Sequence, residues 1–192
     1  MKIHQAILVS LVLLISCKNT TQQEAPVNQI SNVDIANKFV DAFYSFNRDS
    51  LATILSTAKE SSRADILYYQ KWAECGHYEV LKRDTYSEKS DSLIIFPVTV
   101  KDDLMAALQI DFNVTDTFRI MIQNGHIRSV QTSSNDPDTY FEAKEWVKKN
   151  RSDLIEKACE GAGAGGPTPC ECIQGMLKGF GEFIKEKQPK TK

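Results

Sequence analysis

Residues 111–132 read DFNVTDTFRIMIQNGHIRSVQT, and this stretch predicts a β-hairpin. Its first half, residues 111–123, is a long strand candidate whose apolar side chains share one face, because successive side chains of a strand point to opposite faces. The inward set consists of Phe118, Ile120 and Ile122. Asn124 and Gly125 both tolerate positive φ, so the pair favours the tight type I′ turn that joins antiparallel strands. The stretch therefore predicts an antiparallel sheet.

The returning strand of this hairpin is predicted at residues 126–132. Its apolar residues Ile127 and Val130 have opposite parity, so either both faces of the strand are partly covered or the strand contains a bulge. On the first strand, Arg119 alternates with the inward set. It is therefore expected to face away from the helices.

Two further strands are predicted ahead of the hairpin, at residues 78–83 and 92–100. The first alternates apolar and charged residues, as a half-buried strand does. The second places four apolar side chains on one face: Ile94, Phe96, Val98 and Val100. Pro97 lies in its middle, and because proline has no backbone N–H to donate, it indicates an edge strand or a bulge.

Helical periodicity flanks the strands on both sides. Three helices are predicted ahead of the sheet, at residues 34–46, 51–55 and 63–75. After the sheet follow a helix ending near Asn150, a short helix at residues 152–159, and a last helix that starts from a capping box at residues 168–171, with Pro169 at the first helical position. The buried stripe of the last helix is expected at Ile173, Leu177, Phe180 and Ile184. Helices, then strands, then helices indicate an α+β fold.

The N-terminal residues have the pattern of a bacterial lipoprotein signal. Lys2 precedes an apolar run over residues 6–15, which is shorter than the roughly 20 residues of a membrane-spanning helix. The run ends in LISC at residues 14–17, which resembles a lipobox. Cys17 is therefore the predicted lipidation site, and residues 1–16 are the predicted signal peptide.

The remaining chain divides into three predicted parts. Residues 17–32 are a polar and aperiodic tether after the lipidated cysteine, residues 33–187 are one globular domain, and residues 188–192 are a tail. The predicted location is the cell envelope, on the inner or outer membrane, facing the periplasm or the cell surface. The net charge of −2 is close to neutral and gives no basis for binding nucleic acid. No cofactor is expected.

A series of short motifs runs through residues 34–183. They are Tyr69-x-x-Trp72 before Cys75, Thr117-Phe118-Arg119-Ile120 leading to Asn124-Gly125-His126-Ile127, Asp136-Pro137 before Trp146, and Cys159 followed by Gly165-Gly166-Pro167-Thr168-Pro169 and Cys172. Their order resembles a subgroup of exported lipoproteins in the nuclear transport factor 2-like (SnoaL-like) superfamily. The resemblance implies a cone-shaped, curved antiparallel sheet with the N-terminal helices packed in its mouth, and extra C-terminal helices. It also implies a cavity inside the cone and homodimerisation through the sheet.

Four cysteines follow Cys17, at positions 75, 159, 170 and 172. In an oxidising compartment an even set favours disulfides, and four cysteines allow three pairings. The resemblance implies the pairs Cys159–Cys172 and Cys75–Cys170. The alternative is a zinc site that uses Cys75, His77, Cys170 and Cys172. Because the spacings Cys-x-His and Cys-x-Cys are atypical of zinc sites, no metal is predicted.

The candidate ligand-binding residues are aromatic side chains expected to line the cone: Tyr69, Trp72, Tyr78 and Phe112. Tyrosine and tryptophan combine an apolar ring with a polar tip, so they can pack against a guest and also orient it. The alternative is that the set is ordinary core, since aromatic residues at helical spacing usually are.

The candidate acid–base residues are His77, Tyr78 and Asp111. A catalytic His77 would need a positioned partner, and Asp84 or Asp111 could supply it. The acid–base residues of enzymes in the superfamily cannot be matched onto positions of this chain. Catalysis is therefore not implied by the resemblance.

Three functions are compatible with this sequence. The first is a membrane-anchored, non-catalytic module that binds a small apolar ligand or an envelope protein partner. The second is an isomerase, dehydratase or cyclase-type enzyme acting inside the cone. The third is a structural module that interacts through the outer face of the sheet.

Overall fold

The computed structural model describes residues 30–84, 86–90, 92–161 and 170–188. The predicted signal peptide, Cys17, most of the tether, residues 162–169 and residues 189–192 lie outside these ranges. The elements are α1 (Asn32–Tyr44), α2 (Arg48–Ile54), α3 (Glu60–Cys75), β1 (Glu79–Arg83), β2 (Ser87–Ser90), β3 (Leu93–Lys101), α4 (Asp103–Ala107), β4 (Val114–Gln123), β5 (His126–Ser134), α5 (Asp138–Asn150), a 3₁₀ turn (Ser152–Leu154) and α6 (Cys170–Lys187). This order of elements confirms the α+β class.

The strands form an open antiparallel sheet in the order β1-β3-β4-β5, with β2 also paired to β3. Strand β4 pairs with β3 along residues 93–100. Strands β1 and β2 therefore share the opposite side of β3, where they pair with residues 98–101 and 93–95 respectively. Together they form one interrupted edge strand.

Pro97 lies in β3, which is flanked on both sides, so the expectation of an edge strand at this position is wrong. The Pro97 carbonyl accepts a hydrogen bond from the Asp84 N–H at 3.1 Å. In an antiparallel strand the N and O atoms of a residue point to the same side. The missing N–H of Pro97 therefore faces Asp84, where β1 has ended and β2 has not begun, so the proline lies outside both ladders.

The β4–β5 hairpin forms as predicted. Asn124 and Gly125 have φ values of 53° and 73°, which is the left-handed geometry of the predicted turn. The register shifts between the pairs Met121–Ser129 and Ile122–Ile127, so one extra residue of β5 is inserted there. This bulge confirms one of the two predicted alternatives, and it explains how Ile127 and Val130 are both buried.

The first hydrophobic core lies between the inner face of the sheet and helices α1 to α3. Helix α1 begins at the Ser31 cap, whose hydroxyl accepts from the Asp34 N–H at 3.1 Å. It buries Phe39 and Phe43 against Phe118 of β4, with ring centroids 5.4 and 5.0 Å apart. The predicted inward set of β4 is fully buried, and Arg119 is exposed as its parity required.

A second hydrophobic core joins the C-terminal helices to the end of α3. Its buried members are Cys75, Leu104, Leu108, Ala143, Val147, Ile155, Ile173, Met176, Phe180 and Phe183. Helix α6 packs closely here, because a Cβ atom added at Gly175 would overlap the Leu154 carbonyl, and one added at Gly179 would overlap the Val147 side chain. Leu177 and Ile184, placed in the stripe by the sequence, are only half-buried.

Strand β2 and helix α4 were not predicted. The β2 sequence, SEKS, carries no apolar alternation, and its strand conformation comes from pairing with β3. Helix α4 is one short segment capped by Asp102, whose Oδ1 accepts from the Met105 N–H at 2.9 Å. Within the described ranges, no helix combines the length and the apolar character that crossing a membrane requires.

Candidate functional site

At one end of the sheet, polar side chains replace apolar ones on the inner face. Val80, Val98, Val100 and Val114 face inward. Continuing the same parity along each strand brings Tyr78 ahead of β1, Asp102 after β3, and Asp116 on β4. Tyr78 and Asp102 are neighbours by register, since the adjacent residues Glu79 and Lys101 pair. We call the cluster at this end the Asp–Tyr site; its members are Tyr44, Tyr69, Tyr78, Asp102, Asp116, Asp136 and Tyr140.

Asp116 is the centre of the site and is fully buried. The Tyr44 hydroxyl donates to its Oδ2 at 2.8 Å, and the Tyr69 hydroxyl donates to its Oδ1 at 2.5 Å. Tyr44 is the last residue of α1, and Tyr69 lies in the middle of α3. Both carboxylate oxygens are therefore held by helices that cross the inner face of the sheet.

Gln70 fixes these two helices relative to each other. Its buried side-chain Nε2 donates to the carbonyl oxygens of Ala42 and Phe43, at 3.0 Å each. These carbonyls lie in the last turn of α1, where backbone acceptors have no partner inside the helix. The bonds seat α3 against the end of α1 and thereby bring both tyrosine hydroxyls to Asp116.

The pKa of Asp116 is raised to about 6 in all: burial is the largest cause, the two tyrosine hydrogen bonds lower the value, and the charges of Asp136 and Asp102 raise it. Burial is also the main cause that raises the pKa values of Tyr44 and Tyr69, with the Asp116 charge adding to it. The tyrosines are thus neutral donors, while Asp116 titrates close to neutral pH. A group of that kind can exchange protons with a bound molecule.

Asp102 presents a carboxylate oxygen with no partner. The residue is 3% exposed. Its Oδ1 caps α4, whereas its Oδ2 is buried and makes no hydrogen bond to any described residue. Burial raises the pKa of this carboxyl, against the backbone N–H groups of Met105 and Leu104, which lower it. An unsatisfied buried acceptor costs about 1–3 kcal/mol, and a native protein that retains one calls for an explanation.

The outer members of the site are half-buried: Tyr78, Asp136 and Tyr140. Asp136 follows β5 and accepts from the Ser134 hydroxyl at 2.5 Å; Ser134 is itself the cross-strand partner of Asp116. Burial raises the pKa of Tyr78, and the charges of Asp102 and Asp116 raise it as well, so its hydroxyl is under the influence of both carboxylates. These partly exposed side chains connect the site with the surface.

Of the predicted acid–base residues, only Tyr78 belongs to the site. His77 is exposed, and its Nδ1 lies 2.6 Å from Oδ2 of Asp103. The expected partner is thus wrong, because Asp84 instead binds Lys82 and Thr99, while Asp111 is exposed. Residues 111–113 precede β4 rather than forming part of it, which leaves the Asp111 side chain outside the inner face.

The predicted ligand-binding aromatics divide between the two cores. Tyr69 and Tyr78 come together, with ring centroids 6.5 Å apart in an edge-to-face arrangement. Trp72, one turn after Tyr69, packs against the second core. Phe112 is half-buried against the first core, in the loop ahead of β4. The structure therefore joins two of the four residues.

Sequence reasoning missed Asp116 and Asp102, although parity carried a signal for both. In β4 the inward set continues back through Asp116 to Val114, and in β3 it continues forward from Val100 to Asp102. An acidic residue at an inward position of a strand predicts a buried carboxylate.

The structure joins Cys75 to Cys170 and Cys159 to Cys172, with Cα–Cα distances of 5.0 and 4.6 Å. These are the pairs that the resemblance implied. A disulfide sulfur is no longer the thiolate that zinc requires, so the alternative of a zinc site at these cysteines is not supported. The bonds tie α6 to the end of α3 and to the segment after the 3₁₀ turn.

Comparisons of the chain with protein families, with curated proteins and with solved structures give no match.

Proposed function

We propose that this chain is a lipid-anchored protein of the cell envelope whose domain binds a small molecule at the Asp–Tyr site without converting it. The order of motifs that resembles the nuclear transport factor 2-like superfamily supports a cone in which the helices close one side and the Asp–Tyr site lies at the open end. The signal pattern ending at Cys17 supports the anchor.

The observation that carries the proposed binding function is the free Oδ2 of Asp102. It is buried, it lacks a partner among the described residues, and it neighbours Tyr78 at the polar end of the inner face. A ligand that donates to this oxygen removes the cost of an unsatisfied acceptor. The rings of Tyr78 and Tyr140 supply apolar surface beside it. The middle of the inner face is occupied by Phe39, Phe43 and Phe118, so the guest lies at the end of the sheet.

An enzyme is the second candidate, and Asp116 favours it. A buried carboxyl with a pKa of about 6, held by two tyrosine hydroxyls, has the properties of a general acid or base at neutral pH. The corresponding reaction class is isomerisation, dehydration or cyclisation by proton transfer. This candidate requires that a substrate atom reach Asp116 in place of one of the tyrosines.

Native mass spectrometry tests the binding function. The mature chain is purified from its own envelope in neutral detergent, and its native mass is compared with its denatured mass. We expect a bound guest on the wild type and on Asp103→Asn, and none on Asp102→Asn. Asparagine at position 102 keeps the helix cap but removes the charge, and Asp103 is the adjacent exposed carboxylate.

A wild-type chain without bound mass would contradict the binding function, and so would a guest that remains on Asp102→Asn. The guest, once extracted, also separates the two candidates. Recovery of the guest unchanged after incubation with fresh protein supports a binding module. Conversion that is lost in Asp116→Asn would establish the enzyme instead.

Metabolic labelling with palmitate tests the anchor. We expect label on the wild-type chain and its sedimentation with membranes, whereas Cys17→Ala should carry no label. An unlabelled wild-type chain would overturn the lipid anchor and leave the ligand site untouched, since Cys17 lies far from the site in sequence.

A further inference from the structure

The Asp–Tyr site combines three carboxyl groups with no basic partner. Asp116 binds two tyrosine hydroxyls, Asp102 binds a backbone N–H, and Asp136 binds a serine hydroxyl. Among the described residues, none of the three forms an ion pair with lysine or arginine. The potential at this end of the sheet is therefore negative, and it favours a positively charged guest.

The carboxyl groups are spread out. Asp102 continues β3 with extended backbone, two residues past Val100, and Val100 pairs with Val114. Asp116 lies two residues from Val114 in the opposite direction, so four strand positions, about 13 Å, separate the two aspartates along the sheet. Among the described residues no three His, Cys, Asp or Glu side chains are grouped as metal ligands. Carboxylates that share one metal ion all lie within about 2.6 Å of it, so the separation of Asp102 and Asp116 does not suit a shared metal ion, and the negative charge favours an organic cation.

We propose that the Asp–Tyr site binds a small organic ammonium ion whose N–H groups donate to the free oxygen of Asp102 and whose hydrocarbon part packs against the rings of Tyr78 and Tyr140. This inference rests on the proposed binding function and names its ligand class. The buried Oδ2 of Asp102 supplies a charge-assisted acceptor, which binds an ammonium more strongly than a neutral donor. Tyrosine faces attract cations in addition to apolar groups.

The same features exclude other ligands. A carboxylate or phosphate at Asp102 would meet a buried carboxylate that forms no ion pair with lysine or arginine among the described residues, and like charges at short distance repel. A zwitterionic amino acid would bring its own carboxylate into the same field. The expected guest is therefore a monoamine without an acidic group.

Three probes of equal size and different charge test the proposal: cyclohexylammonium, cyclohexanol and cyclohexanecarboxylate. Binding to the mature chain in neutral detergent at pH 7.5 is measured by titration calorimetry. We expect cyclohexylammonium to bind at least tenfold more tightly than cyclohexanol, and cyclohexanecarboxylate not to bind. Asp102→Asn should weaken binding of the amine at least tenfold, and Asp103→Asn should leave it within twofold.

The outcomes separate this inference from the function on which it rests. Cyclohexanol binding as well as the amine, or amine binding that survives Asp102→Asn, overturns the ammonium proposal. A native guest without an amino group also overturns it while the binding function stands. If no probe binds and the native mass shows no guest, both fail.

Discussion

Asp116 shows how burial sets the proton affinity of a single residue. Its carboxyl group has no exposure, and burial disfavours the charged form more than two tyrosine hydrogen bonds favour it. The folded chain therefore holds the proton of Asp116 more tightly than the unfolded chain does. The protonation of this one group couples folding to pH.

The first prediction concerns this coupling. The pKa of Asp116 rises from an ordinary 3.8 to about 6 on folding. A raised pKa contributes stability that is fully present below about pH 4 and is lost as the pH passes 6, by about 3 kcal/mol in total. The free energy of unfolding of the wild type, relative to Asp116→Asn, should therefore fall by about this amount between pH 4 and pH 7.

Urea unfolding followed by tryptophan fluorescence at several pH values measures this difference. Asp111→Asn is the control, because it removes an exposed carboxyl group of the same type. A difference between wild type and Asp116→Asn that stays constant, or that grows with pH, would show that folding does not raise the pKa of Asp116.

Individual residues of the Asp–Tyr site also differ in whether the sequence alone could predict them. Tyr69 and Tyr78 were predicted together because aromatic residues of this type combine packing with polarity. Asp116 and Asp102 were accessible through strand parity. Tyr44 was not, because its partnership with Asp116 spans 72 positions of the chain and depends on Gln70 seating α3 against α1. His77 was misjudged because exposure depends on the whole fold.

At the scale of elements, α6 shows how glycines set the distance between helices. A Cβ atom at Gly179 would overlap the side chain of Val147 in α5, whereas one at Gly181 would have no atom within 4 Å. The two glycines lie two residues apart in the same helix. Substituting each glycine in turn therefore separates the effect of close packing on stability from the effect of the glycine's backbone freedom.

The second prediction uses this pair. Gly179→Ala should destabilise the protein by about 1–3 kcal/mol, because the added methyl group must displace part of the second core. Gly181→Ala should stabilise it by about 0.5–1 kcal/mol, because alanine favours the helix and meets open space. Thermal unfolding of both variants beside the wild type provides the measurement. A Gly179→Ala protein as stable as Gly181→Ala would contradict the close packing of α5 and α6.

Elements with a regular apolar period were predictable, and short elements without one were not. The hairpin over β4 and β5 was confirmed, including its turn and its bulge, because each has a local cause in Asn124-Gly125 and in the parity of β5. Strand β2 has no such cause, since it exists through pairing with β3. Pro97 indicates an edge strand or a bulge, and it lies in an inner strand instead, because the sequence does not show that β1 ends opposite it and β2 begins beyond it.

At the scale of the whole molecule, two cores are joined through α3 and α6. The first lies under the sheet and the second among the C-terminal helices, and Tyr140 contacts both. The Cys75–Cys170 bond links the end of α3 to the start of α6 across 95 residues of sequence, and Cys159–Cys172 spans 13. The sequence predicted the helices of the second core but not that they form a core of their own, because that depends on how they assemble.

The third prediction follows from the different lengths of chain that the two disulfides close, 95 and 13 residues. Closing a longer loop removes more conformational entropy from the unfolded chain, about 4.7 kcal/mol for 100 residues against about 3 kcal/mol for 15. The double variant Cys75→Ala, Cys170→Ala should therefore lose more stability than Cys159→Ala, Cys172→Ala. Urea unfolding without reductant measures both. A greater loss in the second variant would show that native contacts around Cys172, and not loop closure, determine the order.

The positions of the cysteines also determine when the two disulfides can form during synthesis. A chain made from its N terminus presents Cys75 and then Cys159, and neither has its partner until the first residues of α6 emerge. Apart from Cys17, these two are then the only cysteines available. An oxidant that acts in this interval can join them only to each other, in a pairing that the finished protein does not contain. Both native disulfides therefore have to wait for α6, and a product truncated ahead of α6 cannot form either of them.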